Sequence, residues 1–184
     1  MDYTEHTLSA REIFRGRVFT VHVDKVSLPD GRTSTREIVE HPGGAAILPV
    51  DEEGNAYCVR QYRYAVGAHM LEAPAGKLEP GEDPLLCAVR ELGEETGFTA
   101  EEIVPLGAFW PTPGYCRERI HIYLALGLKK GEAHLDKGEF LDVEKYPLEE
   151  LFEMSLDGRI DDCKTVMAIL RAKLYLEGKR GNDA

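Results

Sequence analysis

The chain has 184 residues, with 22 Lys+Arg against 33 Asp+Glu and a formal net charge of −11, a length that suits one domain of roughly 100–200 residues. That acidity argues against a general nucleic-acid binder, which is held mainly by phosphate neutralisation over a broad basic surface. Hydrophobic residues at 43% and charged ones at 30% are values of a folded, water-soluble chain and exclude a disordered one.

At the N-terminus, Asp2, Glu5 and His6 stand where a signal peptide needs basic residues followed by an apolar stretch. No apolar run approaches the roughly 18 residues of a membrane span. The cysteines at 58, 87, 116 and 163 lie far apart with no CxxC or CxH spacing, so neither a zinc knuckle nor a disulfide framework is indicated. Free thiols and a cytoplasmic location are expected.

The first 42 residues predict a pair of short strands. Phe19, Val21 and Val23 alternate with more polar neighbours, Pro29-Asp30-Gly31 supplies a turn, and Thr33 to Val39 returns. A strand pair of this size cannot bury its own faces, so residues 1–42 must pack on the main part of the chain, residues 43–184, or on a second subunit. After His41-Pro42-Gly43-Gly44, strands are predicted at Ala45 to Val50 and Tyr57 to Arg63, joined by a turn at Asp51 to Asn55. A Pro- and Gly-punctuated loop leads to a helix over Pro84 to Thr96, with Asp83 as N-cap, Pro84 in the first helical position and Gly97 after the last turn. Strands follow at Ile103 to Trp110, Ile120 to Leu126 and Phe140 to Val143, then helices at Pro147 to Ser155 and Asp161 to Glu177. This mixture predicts an α+β or α/β sandwich architecture.

Helical geometry places Leu85, Ala88, Val89 and Leu92 on one core-facing stripe of the central helix. It also groups Glu91, Glu94 and Glu95, at i, i+3 and i+4, on another side. Like charges so placed repel, and they lie near the helix C-terminus, where the macrodipole disfavours anions. A hard divalent cation, Mg²⁺ or Mn²⁺, would relieve this, since both accept carboxylate, carbonyl, water and phosphate oxygens. The Ala75 carbonyl lies just before the helix as a further oxygen donor, and Arg90 can hold a carboxylate bidentately.

Gly76, Glu82, Arg90, Glu91, Leu92, Glu94, Glu95, Gly97 and Phe98 together fill the pattern GX5EX7REUXEEXGU, with U a bulky apolar residue. This resembles the Nudix box. The resemblance implies an α+β Nudix fold, a mixed β-sheet sandwiched between α-helices, here with an N-terminal antiparallel strand pair, and hydrolysis of a nucleoside diphosphate linked to another group. Leu71 to Glu79, Arg36 to Gly43 and Thr112-Pro113-Gly114 are similar to the ADP-ribose pyrophosphatase branch, whose usual marker is a proline 15 residues past the box, here Pro113. The similarity runs from about Phe14 to Leu176.

Carried onto this chain, the resemblance implies metal at the Ala75 carbonyl, Glu91 and Glu95, with Glu94 as a water-mediated ligand or base. A further acidic residue is implied before the late strand: Glu139, with Asp136 in reserve. Lys137 stands where family members often carry another acid, which leaves Glu139 open as ligand, general base or both. Arg63 resembles the arginine that meets the diphosphate, and Arg36 with Glu37 the pair that reaches the adenine or its ribose; surface ion pairing is the competing reading of both arginines. Thr112 to Gly114 and Glu118 resemble the loop that lines the terminal ribose. Phe19 either stacks on the adenine or packs in the core. A homodimer is implied, with the N-terminal strands pairing across subunits.

The expected reaction is Mg²⁺-dependent hydrolysis of ADP-ribose to AMP and ribose 5-phosphate. The alternatives are the same chemistry on GDP-mannose or a UDP-sugar, and, from a different class, an ADP-ribose sensor that binds without cleaving.

Overall fold

A computed structural model of the chain describes residues 2–182 and divides it into two units. One holds the residues up to Gly43 together with Trp110–Arg119; the other holds Gly44–Phe109 and the residues from Ile120 onward.

The N-terminal unit is a three-stranded antiparallel sheet, β1 (His6–Arg15), β2 (Thr20–Ser27) and β3 (Thr33–Glu40), in the order β1-β2-β3. The turn at Asp30-Gly31 is as predicted, with Gly31 at φ 86°. The predicted pair has a third member, because β1 pairs along its length with β2 from His6↔Ser27 to Arg15↔Thr20. Every residue of β1 is exposed, so its sequence carries none of the one-sided apolar alternation that marks a half-buried strand. The loop Trp110–Arg119 joins this unit through backbone bonds to β3: Val39 N–H donates to the Tyr115 carbonyl (2.8 Å) and Arg117 N–H to the Val39 carbonyl (2.9 Å).

The larger unit contains a four-stranded mixed sheet ordered β7 (Ala75–Lys77), β4 (Gly44–Pro49), β9 (Ile120–Lys130), β8 (Phe98–Phe109). Its central pair, β4 and β9, is parallel, and the flanking pairs are antiparallel. All six residues of β4 are buried, which is how a strand covered on both faces reads. Because side chains alternate, Ala46 and Leu48 of β4 with Ile122 and Leu124 of β9 enter one core, while Ala45 and Ile47 with Tyr123 and Ala125 enter another.

The first core is closed by α2 (Leu148–Leu156), through Leu148, Leu151 and Met154, and by α3 (Cys163–Asn182), through Ala168, Ile169 and Ala172. Ala56, Cys58 and Leu71 contribute to it from a second antiparallel sheet, β10 (Leu141–Pro147), β5 (Asn55–Arg63) and β6 (Ala68–Glu72). The second core is closed by α1 (Pro84–Glu91), through Cys87 and Ala88, together with Leu92 and Phe98. Helices on both faces of a mixed sheet give the sandwich expected from the sequence. The predicted turn between β4 and β5 is present, Gly54 N–H donating to the Asp51 carbonyl (3.0 Å), but the two strands lie in different sheets and only an isolated bridge, Val50↔Ala56, joins their ends.

Candidate active site

The helix that carries the glutamates begins as predicted. Asp83, with extended backbone, accepts a hydrogen bond from Leu85 N–H (2.8 Å), and Pro84 opens the first turn. The α-helix ends at Glu91 and passes into a π-helical turn over Leu92–Thr96. Such wider turns are rare and recur at functional sites. Gly97 ends the turn at φ 72°.

The buried stripe differs from the expected one. Leu85 (40% exposed) and Val89 (45%) face solvent, while Cys87, Ala88, Glu91, Leu92, Glu95 and Thr96 are buried. The small residues Cys87 and Ala88 pack against Ala45 and Ile47. This choice of face turns Glu91 and Glu95 inward with the core residues rather than out to water.

Glu91 (8% exposed) and Glu95 (3%) therefore form a buried acidic pair. Burial, with the charges of Glu94 and Glu139 adding to it, raises the Glu91 carboxyl above its ordinary range. For Glu95, burial first and then Glu91 and Glu139 push the pKa up to about 8. Ala75 N–H donates to Glu95 Oε2 (3.1 Å), which ties Glu95 to the strand end whose carbonyl is the predicted metal donor. Gly76 is required at its position: a Cβ there would lie 1.6 Å from Glu91 Oε1.

Arg90 gathers the remaining glutamates of the box. Its Nε and Nη2 donate to Glu82 (3.0 and 3.2 Å), and its Nη1 donates to Glu91 Oε1 (2.7 Å) and Glu94 Oε2 (2.9 Å). Hydrogen bonding to Arg90 pulls the Glu82 carboxyl down to about 2. Among the described residues no three Asp, Glu, His or Cys side chains already surround one point as metal ligands do, consistent with Glu91 and Glu94 both being drawn onto Arg90. The donor set nevertheless fits a hard cation. Burial has raised the cost of charge on Glu91 and Glu95, and Glu139 repels both.

Glu139 reaches this cluster through backbone contacts. Gly131 N–H donates to the Gly97 carbonyl (2.7 Å) and His134 N–H to the Glu94 carbonyl (2.9 Å), so the segment after β9 lies on the end of the π turn. A Cβ on Gly97 would come within 2.8 Å of Ala133 N and of Glu132 C. Gly97 thus serves twice, as the positive-φ cap and as the surface on which this segment rests. Asp136, the reserve candidate, binds Glu139 instead: its N–H donates to Glu139 Oε2 (3.3 Å) and its carbonyl accepts from Glu139 N–H (3.0 Å). Beside Glu139 opens a cavity of about 380 Å³ lined by Arg60, Tyr62, His69, Leu135, Phe140 and Asp142, among others.

Arg63 is ion-paired, but with a buried partner rather than at the surface. Its Nε and Nη2 donate to the two oxygens of Glu72 (2.6 and 2.7 Å), and Glu72 is 2% exposed. Arg63 also lowers the pKa of Glu95 by its charge, so it belongs to the same neighbourhood. Glu72 and its second cationic partner, Lys164, were not among the predicted site residues. A lone glutamate between Leu71 and Ala73 was the available signal for Glu72; Lys164 had none.

The other predicted residues lie in the N-terminal unit. Arg36 is paired with Glu5, its Nε 2.9 Å from Glu5 Oε2. Arg36 and Glu37 are neighbours on β3 and so face opposite sides of the sheet, which separates the expected pair. Phe19 is 41% exposed and packs on Phe14, ring centroids 5.8 Å apart, which removes the core reading. It lines a pocket with Gly16, Arg17, Glu40, His41 and Pro42. Thr112 accepts the N–H of Cys116 at its carbonyl (3.0 Å), closing the turn that holds Pro113 and Gly114, and Glu118 lies 3.5 Å from His41 Nδ1.

The family model described as the NUDIX domain matches residues 40–167, and that described as the nucleoside diphosphate sugar hydrolase N-terminal domain matches residues 5–39. The chain is 45% identical over 169 residues to the methanol dehydrogenase activator of Bacillus methanolicus, covering 91% of each chain. It is 41% identical over 180 residues to the ADP-ribose pyrophosphatase of Bacillus subtilis (strain 168), covering 96% of this chain and 97% of that one. In fold, it resembles the crystal structure of an ADP compounds hydrolase, with a TM-score of 0.83 at 24% identity over 95% of both chains.

Proposed function

The chain belongs to the Nudix hydrolase family, and from that membership we propose that it hydrolyses the diphosphate of ADP-ribose to AMP and ribose 5-phosphate with Mg²⁺, Mn²⁺ suiting the same oxygen ligands. The observation that carries this reading is the buried pair Glu91 and Glu95, repelled by each other and by the half-buried Glu139, with Arg63 in the same neighbourhood. It presents anionic ligands for cations and a cation for a diphosphate. The relative named an ADP-ribose pyrophosphatase, alike over almost the full length of both chains, supports the choice of substrate.

The Ala75 carbonyl, Glu91, Glu95 and Glu139 would hold the metal. Bound there, it would neutralise the diphosphate and acidify a water. Arg90 orients Glu91 and Glu94 through Nη1. Glu94 and Glu139 are the two candidate bases, Glu94 ion-paired with Arg90 at 2.9 Å and Glu139 accepting the Asp136 backbone N–H. Arg63 meets the diphosphate. For the nucleoside and terminal ribose the candidates are Phe19, Thr112, Pro113, Gly114 and Glu118, with one of Arg36 and Glu37, since those two face opposite sides of β3. GDP-mannose or a UDP-sugar is the alternative substrate. A non-cleaving sensor would have little use for the complete glutamate set.

A homodimer in the cytoplasm completes the proposal. Its support is the open outer edge of β1, a ten-residue strand fully exposed with Leu8, Ile13 and Phe14 among its side chains, a form that invites pairing with another chain. Light scattering on the eluted protein should give twice the mass of the chain.

The activity is tested by incubating the protein with Mg²⁺ and a panel of nucleotide sugars and dinucleotides and separating the products. AMP from ADP-ribose is expected; intact ADP-ribose that nonetheless binds would favour a sensor. Single turnovers in ¹⁸O-water then show which phosphorus takes the water oxygen. At least one of Glu139→Gln and Glu94→Gln should slow turnover tenfold or more; if neither does, the base lies elsewhere.

A further inference from the structure

Arg63 and Glu72 stand on adjacent antiparallel strands, Val59 opposite Glu72 and Arg63 opposite Ala68. Alternation puts Val59, Gln61 and Arg63 on the same side of β5, so the arginine reaches diagonally back to Glu72 on β6. The contact is forked, with Nε on Oε1 and Nη2 on Oε2, the two-bond geometry that fixes a guanidinium in plane as well as in place. Nη1 makes no hydrogen bond among the described residues, and the Arg63 side chain is 41% exposed. One edge of the guanidinium is therefore anchored, and the other is left for a ligand.

Glu72 is itself held from a third element. Lys164 Nζ binds Glu72 Oε2 and lies 2.9 Å from Asp162 Oδ2. Asp162 caps α3, accepting the Thr165 N–H at the same oxygen (3.0 Å). Thr165, fully buried, accepts the Ala73 N–H at Oγ1 (2.7 Å). The first turn of α3 thus grips Glu72 through Lys164 and its neighbour Ala73 through Thr165, two residues before the Ala75 carbonyl. The two acids and two bases of this network balance in charge, so Glu72 can remain ionised although it is 2% exposed.

We infer that Glu72 is a positioning residue for Arg63, orienting its free edge toward the substrate diphosphate, and that Lys164 at the start of α3 holds Glu72 for that purpose. An arginine anchored in advance has already lost most of its side-chain freedom, so binding a phosphate oxygen immobilises little more. The inference rests on the ADP-ribose reading above.

A double-mutant cycle tests it, with kcat and KM for ADP-ribose and binding of its α,β-methylene analogue measured for Arg63→Ala, Glu72→Gln and the double variant. Glu72→Gln should lower kcat/KM roughly ten- to a hundredfold, with weaker analogue binding and unaltered Mn²⁺ affinity. In the Arg63→Ala background it should cause no further loss, because a residue that acts only through Arg63 has nothing left to act on. Lys164→Gln should reproduce the defect more weakly and Lys164→Arg should restore it, which keeps the test available if Glu72→Gln folds poorly. Losses that multiply in the double variant, or wild-type kcat/KM in both Glu72→Gln and Lys164→Gln, overturn the inference while leaving the ADP-ribose reading intact. A wild-type protein that neither cleaves ADP-ribose nor binds the analogue overturns both.

Discussion

Carboxylates occupy two contrasting settings in this molecule. In the N-terminal sheet, Glu5, Glu12 and Asp30 each face one arginine, Arg36, Arg15 and Arg32, at or near the surface. Each charge there is matched locally, and water screens what remains, so such pairs contribute little to stability. On the helix and π turn of the larger unit, Glu91 and Glu95 are buried, and a single arginine, Arg90, is shared among Glu82, Glu91 and Glu94. Anions buried next to anions are costly, and the architecture makes room for them, down to a glycine at 76 whose missing Cβ Glu91 occupies. Placement, far more than the number of charges, separates a solvated surface from a site.

The contrast breaks most sharply at Glu95. Glu95→Gln should reduce kcat/KM on the order of 10³-fold while raising the thermal midpoint of the EDTA-treated protein at neutral pH, because it removes a carboxyl that must take up a proton to be buried; a variant that keeps near-wild-type turnover would return this region to the status of an acidic surface. Gly76→Ala comes next. Its Cβ must displace the Glu91 carboxylate, and a loss of roughly a hundredfold in activity is expected, accompanied by weaker metal binding in a Mn²⁺ titration.

A pH scan sharpens the comparison without mutation. Glu95 has its pKa raised from an ordinary 4.5 to about 8 in the folded metal-free protein. Below pH 4.5 folded and unfolded chains both carry the proton; between 4.5 and 8 only the folded one does. Stability of the metal-free protein should therefore fall as pH rises through that window. Mg²⁺ should flatten the decline, since it favours the ionised carboxylate and releases the proton on binding. Thermal midpoints recorded across the window, with EDTA or with Mg²⁺, give the answer, and a midpoint that climbs with pH in EDTA would contradict the assignment. The smallest effect is reserved for the other setting: Arg15→Ala, which removes the exposed partner of Glu12, should leave both thermal midpoint and turnover within measurement error.

The parts of this fold and site that could be read from the chain are those governed by local chemistry. Asp83, Pro84 and Gly97 mark the ends of the glutamate helix because capping and positive φ depend on neighbouring residues alone. Nine residues in fixed register identified the family for the same reason, since an i, i+3, i+4 spacing is conserved by the helix itself. Strand β1 escaped notice because it buries nothing and takes its form from β2. The stripe of Leu85 and Val89 was misplaced because an amphipathic helix with several apolar residues offers more than one face, and contact with β4 selected the one bearing Cys87 and Ala88.

Residue spacing was therefore sufficient to name the chemistry: glutamates that need a cation, and a fold able to carry them. It could not say that the segment leading to Glu139 is held to the π turn at the Gly97 and Glu94 carbonyls, or that Arg63 is gripped by Glu72 and, through it, by a lysine 92 positions further along the chain from that glutamate. Those contacts join residues remote in sequence. Their partners are chosen by which strands pair and which helix face is buried, and no local propensity encodes that choice.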